Sequence, residues 1–177
     1  MVSDKALMLD FQRGSHEAFE ELFERYREPL YGFFKRRLEN SARAEDLTQD
    51  TFLGVVQATS RYEPRARVRT YLYGIALNLL AAERRGRAKG DLTPGSEREP
   101  GSASSPDPSI WVRESLEKLA PIEREILMLR EYEQLSYSEI ADMLRLPVNT
   151  VRSRLFRSRM SLKQYLEPAA RTNNAQK

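Results

Sequence analysis

Ser136 to Leu162, SYSEIADMLRLPVNTVRSRLFRSRMSL, has the spacing of two short helices joined by a tight turn. Ser136 is placed to cap the first helix, and Glu139 three residues on can reach back to the cap's amide, a reciprocal capping box. Ile140, Ala141 and Leu144 then share one side, with Ala141 small enough for a second helix to cross closely. Pro147 lacks an amide donor and ends the first helix, and Asn149 is a favoured cap for the next, which the spacing starts at Thr150. On that second helix Val151, Leu155, Ser158 and Leu162 fall on one face, leaving Arg152, Ser153, Phe156 and Arg157 together on the other. Arg145, Arg152, Arg154, Arg157, Arg159 and Lys163 are the charged residues from 145 to 163, with no acidic one among them. That basic footprint attracts phosphates; arginine can read guanine bidentately in the major groove and Phe156 can meet a thymine methyl. The stretch is therefore read as a DNA-binding helix-turn-helix.

Working outward, helical periodicity recurs along the chain and strand signals are nearly absent, so the expected fold is all-α. Residues 91–108, DLTPGSEREPGSASSPDP, are rich in proline, glycine and serine and lack hydrophobic periodicity. They read as a flexible linker between two small helical domains, 1–90 and 109–177, with a frayed tail after Leu166. Asp107 as cap and Pro108 at the first helical position restart order. The second domain then gains a helix with Trp111 and Leu116, and another opened by Pro121.

In the first domain, Asp4 to Arg13 form a short amphipathic helix ended by Gly14. An aromatic stripe follows from Phe19 to Leu38, with a kink expected at Pro29. Ala42 to Ala58 is a third helix with Leu47, Thr51, Phe52, Val55 and Val56 inward. Its opposite side carries Asp46, Gln49, Asp50 and Leu53, an exposed leucine among polar groups that suits a protein partner. Glu45, Asp46 and Asp50 have no histidine or nucleophile placed to complete a metal or acid–base site. Arg61 to Arg69, RYEPRARVR, reads as a basic loop ahead of a fourth helix, Thr70 to Arg85. Tyr62, Tyr71, Tyr73 and Asn78 beside Arg65, Arg67 and Arg69 combine flat faces, an amide and positive charge, the composition of a single-strand binding surface. The same tyrosines are equally suited to closing the core.

The net charge of +3 is small but segregated, with residues 61–89 basic and residues 114–142 acidic. The chain has no cysteine and one histidine, His16, which excludes disulfides and a cysteine/histidine zinc site. The longest apolar run, Tyr71 to Ala82, is interrupted by Gly74 and Asn78 and falls short of the roughly 20 residues of a membrane helix. MVSDKALMLDF lacks the basic start and apolar region of a secretory signal, so a cytoplasmic protein is expected.

Four segments in order, Ala44 to Leu53 (AEDLTQDTFL), Thr70 to Asn78 (TYLYGIALN), Ile122 to Ala141 (IEREILMLREYEQLSYSEIA) and Asn149 to Arg159 (NTVRSRLFRSR), resemble the extracytoplasmic-function sigma factors, small two-domain members of the bacterial sigma-70 family. The resemblance extends from Leu7 to Leu166. It implies a non-enzymatic protein without cofactor or metal that binds core RNA polymerase and directs it to promoters. Asp46, Gln49, Asp50 and Leu53 match the polymerase-binding positions. Tyr62, Arg65, Arg67, Arg69, Tyr71 and Asn78 match those that capture the opened −10 strand. Asn149, Thr150, Arg152, Ser153, Phe156 and Arg157 match those that read the −35 duplex. An anti-sigma protein is a common partner in such a family. The chain departs from the family pattern at Tyr71, where tryptophan is usual, and at Arg145 and Asn149, where glycine is usual. The alternative is a stand-alone helix-turn-helix regulator whose first domain senses a signal or dimerises.

Overall fold

The computed structural model describes residues 1–90 and 108–174, with side chains for 1–90 and 110–167. All regular structure among them is helical: α1 Asp4–Gln12, α2 His16–Lys35, α3 Ser41–Ala58, a single 3-10 turn Thr59–Arg61, α4 Val68–Ala88, α5 Pro108–Glu117, α6 Pro121–Glu131, α7 Tyr137–Leu144 and α8 Val148–Asn174. The chain divides into two compact units, the first ending at Gly101 and the second beginning at Ser102. The linker expected at 91–108, with its Asp107 cap, lies outside the described residues except for Pro108, which opens α5. None of the described helices is long and apolar enough to cross a membrane.

In the first unit each of the first three helices begins at a side chain that accepts an orphan amide. Ser3 accepts from Ala6, Ser15 from Ala18 and Asn40 from Arg43. α2 is one helix with Pro29 inside it. It buries Leu22, Tyr26, Leu30, Phe33 and Phe34 against α1, α3 and α4. Phe33 lies edge-on to Phe34 at 5.1 Å and 5.5 Å from Tyr73 of α4, so Tyr73 is core and not a base-stacking face. Gly54 lets α3 and α4 approach closely: a Cβ there would lie 3.2 Å from Ile75 Cγ2.

Two polar ties fix the packing. Asp4 takes Arg25 Nη1 at 2.7 Å and a short bond from the Tyr26 hydroxyl, pinning the start of α1 to α2. Glu83, 5% exposed, takes Arg43 Nη2 at 2.7 Å and Nε at 3.0 Å, with Arg87 at 3.4 Å, and so ties α4 to α3. The Arg43 guanidinium beside Glu83 holds its carboxyl below the usual carboxylate range. α4 starts two residues earlier than the spacing suggests because Val68 is itself buried, and it runs to Ala88.

In the second unit α6 buries Ile126, Leu127, Met128 and Leu129, and α8 buries Val151, Leu155 and Ser158. The helical backbone of α8 continues to Asn174, past Leu166, where a frayed tail is expected from the sequence.

Glu83→Ala leaves the Arg43 guanidinium without its buried partner and is expected to destabilise the first unit by about 1 to 3 kcal/mol. Hydrogen exchange of α3 and α4 amides measures it. Because the folded-state pKa is depressed, this contribution is complete above the ordinary carboxylate range and is lost as the pH falls through the lowered value. The wild-type advantage over the variant should therefore vanish in acid; an advantage independent of pH removes the ion pair as its cause.

Candidate nucleic-acid interface

The helix-turn-helix forms as its residues dictate, with two adjustments at the turn. Ser136 Oγ accepts from the Glu139 amide at 3.2 Å while Glu139 Oε2 accepts from the Ser136 amide at 2.7 Å, the complete capping box. α7 ends at Arg145 in the left-handed conformation, φ 53° and ψ 47°, its amide bonded to the Ala141 carbonyl. α8 then starts at Val148, with the Pro147 carbonyl accepting from Thr150 at 2.9 Å and Val151 at 3.1 Å. Asn149 therefore does not cap α8 as the sequence suggests. It lies within the first turn because Pro147 already fixes the entry, and its Oδ1 accepts from Arg152 Nη1 at 3.2 Å.

The two faces of α8 separate cleanly near the turn. Val151 and Leu155 are buried, and the buried Ser158 hydroxyl lies 2.7 Å from the Arg154 carbonyl and 3.2 Å from the Glu123 carbonyl of α6. Leu162, expected inward, is half-exposed: it lines an apolar groove of about 480 Å³ with Val112, Leu116, Leu127, Met128 and Leu166. Arg152, Ser153, Phe156 and Arg157 are exposed, Phe156 at 66%, with Asn149 exposed and Thr150 half-buried beside them. The basic run is not uniformly available. Arg159 is held by Glu131 at 2.6 Å, whereas Arg157 approaches Glu123 only to 3.9 Å.

On α3 the Asp46, Gln49 and Asp50 side chains are exposed and Leu53 is 53% exposed, as their spacing predicts. Val56 corrects the expectation: it is 46% exposed, one turn beyond Leu53, and widens the apolar part of this face. Arg43 reaches Asp46 at 3.6 Å.

The segment between α3 and α4 is a short exposed loop with both ends anchored. Glu63, Pro64, Arg65, Ala66 and Arg67 are exposed, Tyr62 and Val68 are buried, and Arg65 Nε meets Glu63 at 2.5 Å. Arg67 precedes α4 with no side-chain cap, so the first amides of that helix face the loop and add a positive pole to its arginines. Arg69 is half-buried and engaged within the unit, while Asn78 is exposed on α4. Tyr62 is not an open flat face. It packs edge-on against the half-buried Tyr71 at 5.2 Å, its hydroxyl meets no hydrogen-bond partner among the described residues, and burial raises its pKa. Sequence reasoning missed Gln12, whose amide donates to the Thr59 carbonyl at 3.0 Å and the Tyr62 carbonyl at 3.2 Å across more than forty residues. No periodic signal marks such a contact.

Residues 22–90 match the family model described as Sigma-70 region 2, and residues 109–162 match that described as Sigma-70, region 4. The RNA polymerase sigma-H factor of Pseudomonas aeruginosa is 30% identical, with 95% of this chain and 96% of that protein covered. The RNA polymerase sigma factor CarQ of Myxococcus xanthus is 34% identical, with 88% and 93% covered. Among solved structures, CnrH, in complex with the cytosolic domain of CnrY, is similar in fold: TM-score 0.71 at 24% identity, covering 93% of this chain and 97% of that one.

A left-handed arginine costs on the order of 1 kcal/mol that glycine does not incur. Arg145→Gly is expected to stabilise the second unit by less than that amount, because glycine's greater unfolded freedom offsets part of the relieved strain. Trp111 of α5 is the sole tryptophan, so its fluorescence during denaturant unfolding reports this unit. An unchanged or lower midpoint removes strain at Arg145 as a factor.

Proposed function

Because this chain belongs to the sigma-70 family, as a small extracytoplasmic-function RNA polymerase sigma factor, we propose that its two units divide promoter recognition between them. The protein directs core RNA polymerase to promoters. The second unit lays α8 in the major groove of the −35 element. The observation that carries this is the division of α8, with Val151, Leu155 and Ser158 buried while Arg152, Ser153, Phe156 and Arg157 project together. Arg152 and Arg157 supply bidentate donors for guanine, Phe156 an apolar contact, and Asn149 and Thr150 the edge of the surface.

The first unit grips the polymerase through Asp46, Gln49, Asp50 and Leu53, now joined by Val56. Carboxylates there pair with basic side chains of the partner, and the two apolar side chains exclude water between them. The loop of Arg65 and Arg67, with Arg69, Tyr71 and Asn78 behind it, holds the opened −10 strand. Its positive pole attracts the strand's phosphates, and an unpaired base gains pocket contacts that offset its unstacking. Tyr62 acts from behind this loop, by supporting Tyr71, and not as an open stacking face.

No bond chemistry is assigned to the protein; its work is binding and strand opening in the cytoplasm, where the polymerase operates. A protein antagonist covering the acidic face of α3 is the expected mode of control, in keeping with CnrH, which was solved with CnrY. A stand-alone regulator would leave the match of residues 22–90 to a sigma region unexplained.

Reconstitution with purified core polymerase on a randomised duplex library, followed by transcript start mapping, is expected to return one shared pair of −35 and −10 elements. Absence of any promoter-specific transcript overturns the reading. On the selected promoter, Arg157→Ala is expected to cost about 1 to 3 kcal/mol and to relax preference at one −35 position. Equal losses on matched and scrambled −35 elements remove Arg157 from base reading.

A further inference from the structure

We propose that Gln12, the last residue of α1, is a positioning residue for strand opening: its side-chain amide sets the anchored end of the loop that holds the opened −10 strand. The proposal rests on the assignment of the 62–69 segment above and names a residue outside it, in a helix ahead of the sigma region match, which starts at residue 22.

Gln12 Nε2 donates to the Thr59 carbonyl at 3.0 Å and the Tyr62 carbonyl at 3.2 Å, with the Ser60 carbonyl at 3.5 Å. An amide nitrogen has two hydrogens, so Thr59 and Tyr62 take both and Ser60 is a weak third. These carbonyls lie in and just after the 3-10 turn that follows α3, a helix end with a negative pole; the Thr59 carbonyl also accepts from the Tyr62 amide at 3.1 Å, and Gln12 fills its second acceptor position. The α1 donor satisfies them and fixes where the chain departs toward Tyr62.

What leaves that point matters. Tyr62 has extended backbone, its ring buried against Tyr71, and the exposed residues 63–67 hang between it and the buried Val68. A loop of five residues held at both ends has its reach set by those ends. Gln12 fixes one, and α1 is itself held on α2 by the Asp4 ties to Arg25 and Tyr26. The Gln12 side chain is exposed, so its loss opens no cavity in the core.

The test uses the reconstituted holoenzyme and three variants. Gln12→Ala removes the donors. Gln12→Glu keeps the shape and places an oxygen among three carbonyls. Gln12→Lys restores a donor, as an ammonium that carbonyls at a helix end favour. Open-complex formation, read by permanganate reactivity of −10 thymines on the selected promoter, is expected to fall roughly 3- to 10-fold for Gln12→Ala, further for Gln12→Glu, and to return for Gln12→Lys. Affinity for core polymerase and the unfolding midpoint are expected to stay at wild-type values in all three. Wild-type opening in the alanine and glutamate variants overturns the proposal, as does a loss matched by weaker polymerase binding or lower stability, or one that lysine does not restore. Arg65→Ala and Arg67→Ala run in parallel separate the causes. If they lose opening and the Gln12 variants do not, the positioning role alone falls; if they too open normally, the loop assignment falls and the proposal with it.

Discussion

The display of α8 depends on one narrow buried stripe. Val151, Leu155 and Ser158 face α6 and α7, and the 3.6-residue period turns Arg152, Ser153, Phe156 and Arg157 toward solvent. Ser158 is the sensitive member. A small side chain lets the two helices approach, and its hydroxyl lies within 3.2 Å of the Glu123 carbonyl, so burial of a polar atom is compensated on the facing helix. A larger group there would push α8 outward; a rotation of α8 by one position would bury arginine. The stripe thus fixes both the fold of the unit and the azimuth of Arg152, Phe156 and Arg157.

In the first unit the corresponding constraint is polar. The aromatic packing around Phe33, Phe34 and Tyr73 supplies the apolar burial, but large rings admit more than one registration of neighbouring helices. Glu83 admits few: a buried carboxylate must lie where Arg43 and Arg87 reach it, and this holds α4 against α3 in one register. α4 carries Tyr71 and Asn78, and its uncapped start borders the arginine loop, so the ion pair is what positions the candidate strand-binding residues relative to the acidic face of α3. Gln12 then ties the near end of the same loop to α1.

What could be read from the sequence were the features whose physics is local. The Ser136–Glu139 capping box, the end of α1 at Gly14 and the two sides of α8 follow from spacings of three and four residues. The misses share a different cause. Val56 lies at the margin of the inward arc of α3 and faces out with Leu53. Glu83 looks like a surface residue in a run of charge until Arg43 is found beside it. Tyr62 could stack a base or close the core, and only the packing of Tyr71 and the hold of Gln12 on its carbonyl decide for the second. Contacts across forty residues leave no period to read.

The turn between α7 and α8 shows how a departure from the family's glycines is accommodated. Arg145 stands in the left-handed region and accepts its conformational cost while adding an exposed cation to the basic run. At Asn149 the backbone is ordinary helix, so no glycine is needed for geometry, and the new side chain is free to act outward. Its carbonyl oxygen holds the Arg152 guanidinium at 3.2 Å, which restricts a long, flexible side chain in the unbound protein. Ordering an arginine before it meets DNA lowers the entropy lost on binding, and it also takes one donor from the bases. The two residues therefore act in different ways: Arg145 adds an exposed positive charge at the turn, whereas Asn149 narrows the directions open to Arg152, one of the residues proposed to read bases.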